Sequence, residues 1–573
     1  MKTIIQLLCT LSLILFFTPT IKSQILSEEL KTEKICRFER AEWEIQLKED
    51  FVNPYLTSEI TLDMKMRSPS GKDILLPCFY VSGKSGEQSN WKAIFSPPEI
   101  GAYTYYFELK NKRGIIKSDS NSFSVTSSNK KGFLHANDNW TFKFDNGELF
   151  RGIGENIGWE ARKNDDSKFF KELHEMSRFN YEYMLRKLKE NGGNYMRTWM
   201  CQWNLPLEWK KVANTNRYIN SDEHFNPSSF DKIERLFYLA DSLGIYIMLA
   251  MDAHGALLGS QWESSNYNIK NGGFAASPSE FFSNDKSKIQ YKSRLRYLVA
   301  RWGYYSSIGA WEFWNEVDNA MYAGKDESQI DPEIVVQWHK EMSDYLSSID
   351  PYDHLITTSI SHREIEGLNS IDKIDFNQKH IYIATDAIPS ALIDYSKKFS
   401  KPYVIGEYGH QWDWSLNFND YAEDFDYDFK KGLWYGLFNP TPILPMTWWW
   451  EFFDEKNTKV YYSNVKEIYN NMLDSGGGRF SSINVSTDFK SGICYGVQCG
   501  YKKFIYLLNN RSSEVTTELI VENNREVKTI QVYDPDTMTY SEINNYDSKN
   551  GNTVINNIEL KSRENKIFII TNR

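Results

Sequence analysis

The feature that most constrains the fold is a repeated alternation of short apolar runs with longer amphipathic stretches, which begins near residue 149. Short apolar runs are typical of buried strands, and a 3.6-residue apolar period is typical of helices. The predicted strands, each with the helix that follows it, are 149–153 with 181–190, 194–200 with 230–243, 245–251 with 288–302, 310–314 with 333–349, 354–360 with no helix placed, 375–382 with 387–399, 402–405 with 421–437, and 443–449 with 465–473. Eight such units in succession predict a closed parallel (β/α)8 TIM barrel, placed at residues 131–476.

Two long segments enlarge this barrel beyond the minimal size of about 250 residues. Residues 201–227 and 252–285 both follow predicted strands and are rich in Trp, Asn, Gly and Ser. Loops that follow barrel strands build the active-site face. We therefore expect these two loops to shape a substrate site.

Two glutamates stand at matching places in the predicted barrel. Glu316 ends the fourth strand directly after Asn315, and Glu407 ends the seventh. Two carboxylates across a barrel mouth can cleave a glycosidic bond, because one protonates the leaving oxygen while the other attacks the anomeric carbon. A structural ion pair is the alternative for a single strand-end Glu, but two in register favour chemistry.

These motifs resemble those of clan A glycoside hydrolases, most nearly the cellulase- and mannanase-like enzymes of glycoside hydrolase family 5. The resemblance covers only the predicted barrel. The residues that carry it are Arg197, His254, Asn315, Glu316, His380, Tyr382, Glu407 and the run 448–450, which contains Trp448. It implies that Glu316 is the catalytic acid/base and Glu407 the nucleophile.

Physical reasons support the roles of the polar neighbours. We expect Arg197, an Arg in an apolar strand, to hold Glu407 ionised, while Glu316 stays protonated in a less polar setting. Tyr382 can donate a hydrogen bond to the nucleophile. Glu312, in the same motif as Glu316, is interpreted as structural.

The remaining candidates are substrate-binding residues. His380 and His254 are expected to bind sugar hydroxyls or to orient the acid, and Asn315 to bind the sugar 2-hydroxyl. Trp448 is the predicted sugar platform, with Trp450 next. Ordinary packing is the alternative role for each of these His and Trp side chains.

Composition excludes several other classes of function. The formal net charge of -10, without a basic block, argues against nucleic acid or an anionic membrane surface as partner. A neutral carbohydrate, a β-glycan, fits better. No Cys or His cluster has zinc-ligand spacing and strand one lacks a His-x-His pair, so we expect no metal and no cofactor and disfavour a metal-dependent barrel hydrolase.

The N-terminus predicts export. Residues 1–23 read as a signal peptide, which indicates a secreted or periplasmic protein, and no second apolar stretch is long enough to span a membrane. Five cysteines follow the signal peptide. Cys36 with Cys78 and Cys494 with Cys499 are possible disulfides, with unpaired thiols as the alternative.

Short alternating runs on either side of the barrel predict two β domains. Residues 24–130 resemble an immunoglobulin-like sandwich, and residues 477–573 a small C-terminal β-sandwich. The sequence thus predicts a secreted retaining glycosidase. The alternative is a non-catalytic glycan-binding barrel protein of a polysaccharide uptake system. Sugar specificity, internal or terminal cleavage, and oligomeric state are left open.

Overall fold

The described part of the chain, residues 24–573 of a computed structural model, begins with antiparallel strands. The predicted signal peptide lies outside the described residues. Buried and less buried side chains alternate strictly along several of these strands, as expected where one sheet face packs on a core. The strands are β1 (Ile25–Leu30), β2 (Ile35–Cys36), β3 (Ala41–Lys48), β4 (Ile60–Arg67), β5 (Asp73–Pro77), β6 (Phe79–Gly83), β7 (Gln88–Phe95), β8 (Gly101–Asn111), β9 (Gly114–Lys117) and β10 (Asn121–Thr126).

These ten strands form what we call the N-terminal β region. One sheet has the order β1-β3-β7-β6, and the other has the order β2-β10-β8-β4-β5 with β9 paired to β8. Three short strands follow as a small antiparallel sheet. They are β11 (Leu134–Ala136), β12 (Phe142–Phe144) and β13 (Leu149–Phe150).

A curled parallel sheet occupies the middle of the chain. Its strands are β14 (Gly154–Asn156), β15 (Tyr195–Trp199), β16 (Tyr246–Ala253), β17 (Ile308–Asn315), β18 (Ile356–Thr357), β19 (Ser359–Ile360), β20 (Asn377–Tyr382) and β21 (Tyr403–Gly409). Parallel pairing joins β14 through β18 in order and then β19 through β21. Only Thr358 separates β18 from β19, so one extended segment belongs to both sets.

The predicted eighth strand pairs with both ends of this series through single parallel bridges. Ile443 bridges to Gly152, and Thr447 bridges to both Glu155 and Tyr408. Pro442 directly precedes this segment and Pro445 lies within it; prolines lack an N–H group and interrupt a regular ladder.

Helices cover the outside of the curled sheet. They are α1 (Lys171–His174), α2 (Tyr181–Glu190), α3 (Phe230–Leu243), α4 (Gly259–Ser264), α5 (Pro278–Ser283), α6 (Asp285–Trp302), α7 (Val317–Tyr322), α8 (Pro332–Ile349), α9 (Ile388–Phe399), α10 (Ala422–Leu437), α11 (Trp450–Glu455) and α12 (Tyr461–Gly476). An apolar layer of side chains fills the interior of the curled sheet. Its members include Tyr195, Met248, Ala310, Phe376, Val404 and Ile443, together with Phe142, Phe144 and Phe150 from the small sheet.

The chain ends in a second set of antiparallel strands, the C-terminal β region. They are β22 (Phe480–Ile483), β23 (Val485–Thr487), β24 (Gly492–Cys499), β25 (Lys502–Asn509), β26 (Val515–Glu522), β27 (Val527–Asp534), β28 (Thr539–Glu542), β29 (Tyr546–Lys549), β30 (Asn552–Leu560) and β31 (Asn565–Asn572). They form one sheet of order β22-β24-β25-β31-β27-β28 and another of order β23-β26-β30-β29. An apolar core lies between the two sheets.

One expectation about an individual element is corrected. The run 149–153 was expected to be the first parallel strand, but Leu149 and Phe150 pair antiparallel with β12, and the parallel strand starts at Gly154. After the fifth strand, where no helix was placed from the sequence, the chain forms a 3₁₀ turn at Leu368–Ser370.

Two expectations about the chain as a whole have structural outcomes. All five cysteines among the described residues are free thiols, so the possible disulfides are not formed. Within residues 24–573, none of the helices is both long and apolar enough to cross a membrane.

Candidate active site

A fully buried arginine organises the carboxyl ends of the curled sheet. Arg197, on β15, donates through Nε and Nη2 to the two carboxylate oxygens of Glu312, at 2.6 and 2.7 Å. Its Nη1 donates to Glu407 Oε1 at 2.6 Å and to Asn156 Oδ1 at 3.0 Å, and its Nη2 donates to Asn315 Oδ1 at 2.6 Å. A guanidinium has five N–H donors, and all five are used. The side chain is thereby fixed in one orientation.

Arg197 stays positively charged despite its burial. Burial alone would lower the pKa of Arg197, but the adjacent carboxylates of Glu312 and Glu407 outweigh it and raise the pKa above its ordinary value. Arg197 lies between the carboxylates of Glu312 and Glu407 and forms charge-assisted hydrogen bonds with both. These bonds hold the Glu407 carboxylate against a permanent cation.

Tyr382, the last residue of β20, completes the surroundings of Glu407. Its hydroxyl donates to Glu407 Oε2 at 2.7 Å. Burial and the charge of Glu407 raise the pKa of Tyr382 well above its ordinary value, so the phenol keeps its proton and remains a donor. Both oxygens of Glu407 are thus fixed, one by Arg197 and one by Tyr382.

Glu316 lies beside two histidines. Its Oε1 is 2.8 Å from His380 Nδ1, and its Oε2 is 3.5 Å from His254 Nδ1. Asn319 Nδ2 donates to Oε2 at 2.9 Å, and the backbone N–H of Glu316 donates to Ser359 Oγ at 3.0 Å. Glu316 has a φ of 52°, a conformation uncommon outside glycine, which turns the chain from β17 into α7 and aims its carboxylate at the histidines.

The ionisation state of Glu316 differs from the sequence expectation. Burial favours the neutral acid, but the hydrogen bond and charge of His380, with the charge of His254, outweigh burial and lower the pKa of Glu316 from 4.5 to about 2. A carboxyl group protonated at neutral pH was expected. The correction arises because two imidazoles face the carboxylate where an apolar wall was assumed.

The two glutamates are close together. One oxygen of Glu316, one oxygen of Glu407 and a ring nitrogen of His380 all lie within 4.8 Å of one another. Among residues 24–573, this is the one group of His, Cys, Asp or Glu side chains whose spacing fits a metal ion. These side chains could therefore either bind a metal cation or perform acid–base chemistry. Dialysis against a chelator distinguishes the two.

Tryptophans form one wall beside this polar network. The ring of Trp199 lies 6.5 Å from that of His254 and 5.1 Å from that of Trp448. Trp448 is only 6% exposed, because Trp159, Trp199 and Trp450 enclose its ring. The more accessible rings belong to Trp412 and Trp414, at 57% and 41% exposure on the loop after β21.

Seven of the eight predicted site residues form one connected network, and Trp448 meets it through Trp199. The seven are Arg197, His254, Asn315, Glu316, His380, Tyr382 and Glu407. Their chemical roles stay predictions. The sequence reasoning missed Asn156, Asn319 and Ser359, whose ordinary polar side chains gave no signal.

The pairing of Glu312 with Arg197 was not predicted. Glu312 was interpreted as a structural residue, and its side chain accepts two of the five hydrogen bonds that Arg197 donates. A signal was present in the sequence, because a carboxylate within an apolar strand needs a cationic partner, and Arg197 occupies an equally apolar strand.

Comparison with known proteins gives partial matches. Residues 34–110 match the model of a domain family described as a domain of unknown function, DUF5060. Mannan endo-1,4-beta-mannosidase A of Podospora anserina is 23% identical over 229 residues, which is 36% of this chain and 56% of that protein. Probable mannan endo-1,4-beta-mannosidase C of Aspergillus terreus is 26% identical over 193 residues, which is 31% of this chain and 45% of that protein. The chain thus spans about half the length of the curated relatives it matches.

A solved structure resembles nearly the whole chain. A crystal structure from Bacteroides vulgatus, described as a candidate glycoside hydrolase, aligns with a TM-score of 0.64 and 13% identity. The alignment covers 95% of this chain and 100% of that one, and at this identity it concerns the fold alone. The sequence relatives are glycoside hydrolases, so the resemblance to glycoside hydrolases predicted from the motifs is confirmed.

Replacing Arg197 tests its role as the central support. Arg197→Met leaves two buried carboxylates without a cation and is expected to lower the free energy of unfolding by about 3–5 kcal/mol. Adding Glu312→Gln removes one of those charges and should recover part of the loss. Unfolding in urea, followed by tryptophan fluorescence, measures both effects.

The matched control is Arg178→Met, because Arg178 forms an ion pair with Glu455 at the surface. A surface pair contributes about 1 kcal/mol or less. Equal destabilisation by Arg197→Met and Arg178→Met would contradict the central role of Arg197.

The lowered pKa of Glu316 predicts a pH dependence of stability. A carboxyl group whose pKa is lower in the folded than in the unfolded state stabilises the fold above its unfolded pKa. This contribution is complete above pH 4.5 and is lost as the pH falls toward 2. Glu316→Gln lacks it, so the stability difference between parent and variant should be larger at pH 6 than at pH 3. Equal differences at both pH values would show that the pKa of Glu316 is not lowered.

Proposed function

We propose that this protein is a retaining β-glycoside hydrolase in which Glu407 is the nucleophile and Glu316 the acid/base. The observation that carries the proposal is the short separation of the two carboxylates, with oxygens within 4.8 Å. Retaining glycosidases place the two carboxyl groups about 5–5.5 Å apart, and inverting ones about 6.5–9.5 Å apart. A separation of this size supports a retaining mechanism.

In the first step, a Glu407 oxygen attacks the anomeric carbon while the bond to the leaving oxygen breaks. A proton passes from Glu316 to that oxygen, so the departing chain leaves as an alcohol. In the second step, Glu316 takes a proton from water, and the water oxygen displaces Glu407. Arg197 and Tyr382 keep Glu407 ionised before the first step and stabilise it as the leaving group in the second.

The proton for the first step belongs to the Glu316–His380 pair. The pKa of Glu316 is lowered in the free protein, so Glu316 is ionised there and needs a proton before the first step. His380 Nδ1 lies 2.8 Å from Glu316 Oε1, close enough to pass a proton to it directly. Substrate seated over the pair displaces water and favours the neutral acid, which moves the proton onto Glu316. His380 is therefore proposed as the residue that supplies the acid with its proton.

The other candidates are proposed to bind the sugar. Asn315 has its Oδ1 held by Arg197, which leaves Nδ2, 3.3 Å from His254 Nδ1, to donate to the 2-hydroxyl. His254 is only partly buried and can contact a hydroxyl group. Trp448 contributes the apolar wall, and the exposed Trp412 and Trp414 extend the sugar-binding surface outward.

The fold proposed for this activity is a closed (β/α)8 barrel at residues 131–476. The bridges of the eighth segment to both β14 and β21 support closure. Two β-sandwiches flank it, an immunoglobulin-like one at 24–130 and a C-terminal one at 477–573, and their paired antiparallel sheets support this division. We further propose that residues 1–23 direct secretion. A β-1,4-linked mannan is the first substrate to test, because the matched relatives carry mannosidase names.

Kinetics of single variants test the catalytic roles. Glu407→Ala is expected to lose measurable turnover of both a mannan and an aryl β-glycoside. Glu316→Ala should lose about 10²–10⁴-fold on mannan but much less on an aryl glycoside with an acidic phenol, because that leaving group needs no proton. The control Glu190→Ala removes an exposed glutamate at the end of α2, away from the proposed site, and should keep parental rates.

Three outcomes would overturn the proposal. Full activity of Glu407→Ala would exclude its role as nucleophile. Loss of parental activity on dialysis against a chelator, restored by a divalent metal, would show that Glu316, His380 and Glu407 hold a metal required for the reaction. Binding of glycans without release of product by the parent would instead favour the glycan-binding alternative.

A further inference from the structure

A second polar cavity lies away from the two glutamates, between the N-terminal β region and the loops after β15 and β16. It encloses about 90 Å³, room for a few water molecules or for the hydroxyl groups of a ligand that reaches in from outside. Its lining residues are Asn53, Leu56, Lys210, His224, Asn266, Asn271, Gly272, Phe274 and Gln290. The first two belong to the N-terminal β region.

Three of these side chains have a buried polar atom without a partner. The atoms are Asn266 Oδ1, Gln290 Oε1 and His224 Nε2. Asn266 is 7% exposed and Gln290 is 4% exposed. Buried polar atoms nearly always have hydrogen-bond partners, so three unpaired atoms around one cavity indicate that something else satisfies them.

The amide orientations identify which atoms are free. Asn266 Nδ2 donates to the carbonyl oxygen of His224 at 3.4 Å, and Gln290 Nε2 donates to the carbonyl oxygen of Asn266 at 3.3 Å. Rotating either amide by 180° would place two oxygens against each other. The free ends of both amides are therefore acceptors.

The third group, His224, is a neutral imidazole. Burial and the nearby charge of Lys210 lower the pKa of His224 to about 4. Tyr55 from the N-terminal β region stacks on its ring, with centroids 5.8 Å apart and planes 15° apart. The stacking holds the imidazole in place, and its Nε2 can either donate or accept according to tautomer.

This donor and acceptor set selects a neutral, hydroxyl-rich ligand. No carboxylate lines the cavity and Lys210 does, so a metal cation lacks charged ligands and meets a repelling ammonium group. An anion would face two amide oxygens. A hydroxyl group can donate to Asn266 or Gln290 and accept from Lys210, while Phe274 offers an apolar surface to a sugar ring.

A larger groove continues from the cavity and shares Lys210, Asn266 and Asn271 with it. It encloses about 740 Å³. The groove runs between the loops 201–227 and 252–285, the same loops that carry Trp203 and His254 at the catalytic face. Its further lining combines hydroxyl and amide groups with charges of both signs, from Asn220, Ser221, Ser260, Ser264, Lys211, Lys270, Asp222 and Glu263.

We propose that this cavity and groove bind a segment of a neutral polysaccharide chain at a distance from the bond being cleaved. The inference rests on the proposed function insofar as the protein acts on glycans. It gives the N-terminal β region a part in substrate binding, through Asn53, Leu56 and the stacking of Tyr55 on His224. The site then holds a polymer on the protein between successive cleavages.

Gln290→Leu tests the site, because it removes one free acceptor while keeping a similar volume on α6. The matched control is Ser287→Ala. Ser287 lies one turn earlier on the same helix, is also buried with an unpartnered hydroxyl, and does not line the cavity.

Both changes are made in the full chain carrying Glu407→Ala, so that the polymer stays intact. Retardation in native gels that contain galactomannan, glucomannan, xyloglucan or laminarin measures the dissociation constants.

With Gln290→Leu, the dissociation constant for the retarding polysaccharide should rise about five- to tenfold, the usual effect of losing one buried hydrogen bond. Ser287→Ala should match its parent. In chains with Glu407 intact, Gln290→Leu should raise the ratio of the polysaccharide KM to the aryl-glycoside KM by the same factor. Equal affinities of Gln290→Leu and Ser287→Ala, or no retardation by any of the four polymers, would overturn the site.

The two proposals fail in different ways. If the parent is retarded by a polysaccharide but hydrolyses none, the proposed activity is wrong. The dissociation constant of Gln290→Leu then decides alone whether the binding site is correct. If the parent hydrolyses a polysaccharide and Gln290→Leu changes neither affinity nor the KM ratio, the activity stands and the site is wrong.

Discussion

The guanidinium of Arg197 is the interaction on which the site depends. Its five donors bind side chains from three other strands, namely Asn156 on β14, Glu312 and Asn315 on β17, and Glu407 on β21. Such a group tolerates burial only because two carboxylates compensate its charge. The same bonds that make its burial possible also fix Glu407 and Asn315, so the fold and the proposed chemistry share one support.

Around this support the two glutamates have different partners, and the difference supports the roles proposed for them. Glu407 is held by a permanent cation and a phenol that keeps its proton, an environment that suits a nucleophile and leaving group. Glu316 is held by two imidazoles and an amide, groups that can exchange a proton with it. Because Glu316 is ionised in the free protein, the proposed mechanism draws the catalytic proton from His380 when substrate binds.

The sequence was informative where a pattern is local and less so where a contact is long-range. The parallel units and strand-end Glu316 and Glu407 follow from short-range periodicity, and Arg197 from the need of a buried charge for a partner. The second partner of Arg197, Glu312, was missed because pairing across strands is not visible in one strand's alternation. The pKa of Glu316 was wrong in direction because it depends on two histidines that are 62 and 64 residues away in the chain. The eighth segment was predicted as a strand from its apolar run. It pairs only through single bridges because Pro442 and Pro445 lack the N–H groups that a regular ladder needs.

The most direct measurement of the central claim is covalent trapping of the intermediate. A 2-deoxy-2-fluoro β-glycoside with an activated leaving group slows the second step more than the first, so the glycosyl-enzyme accumulates. Peptide mass spectrometry then locates the added sugar. The account predicts one sugar on Glu407 and none in Glu407→Ala. A sugar attached to Glu316, or an inverted product with no covalent species, would contradict it.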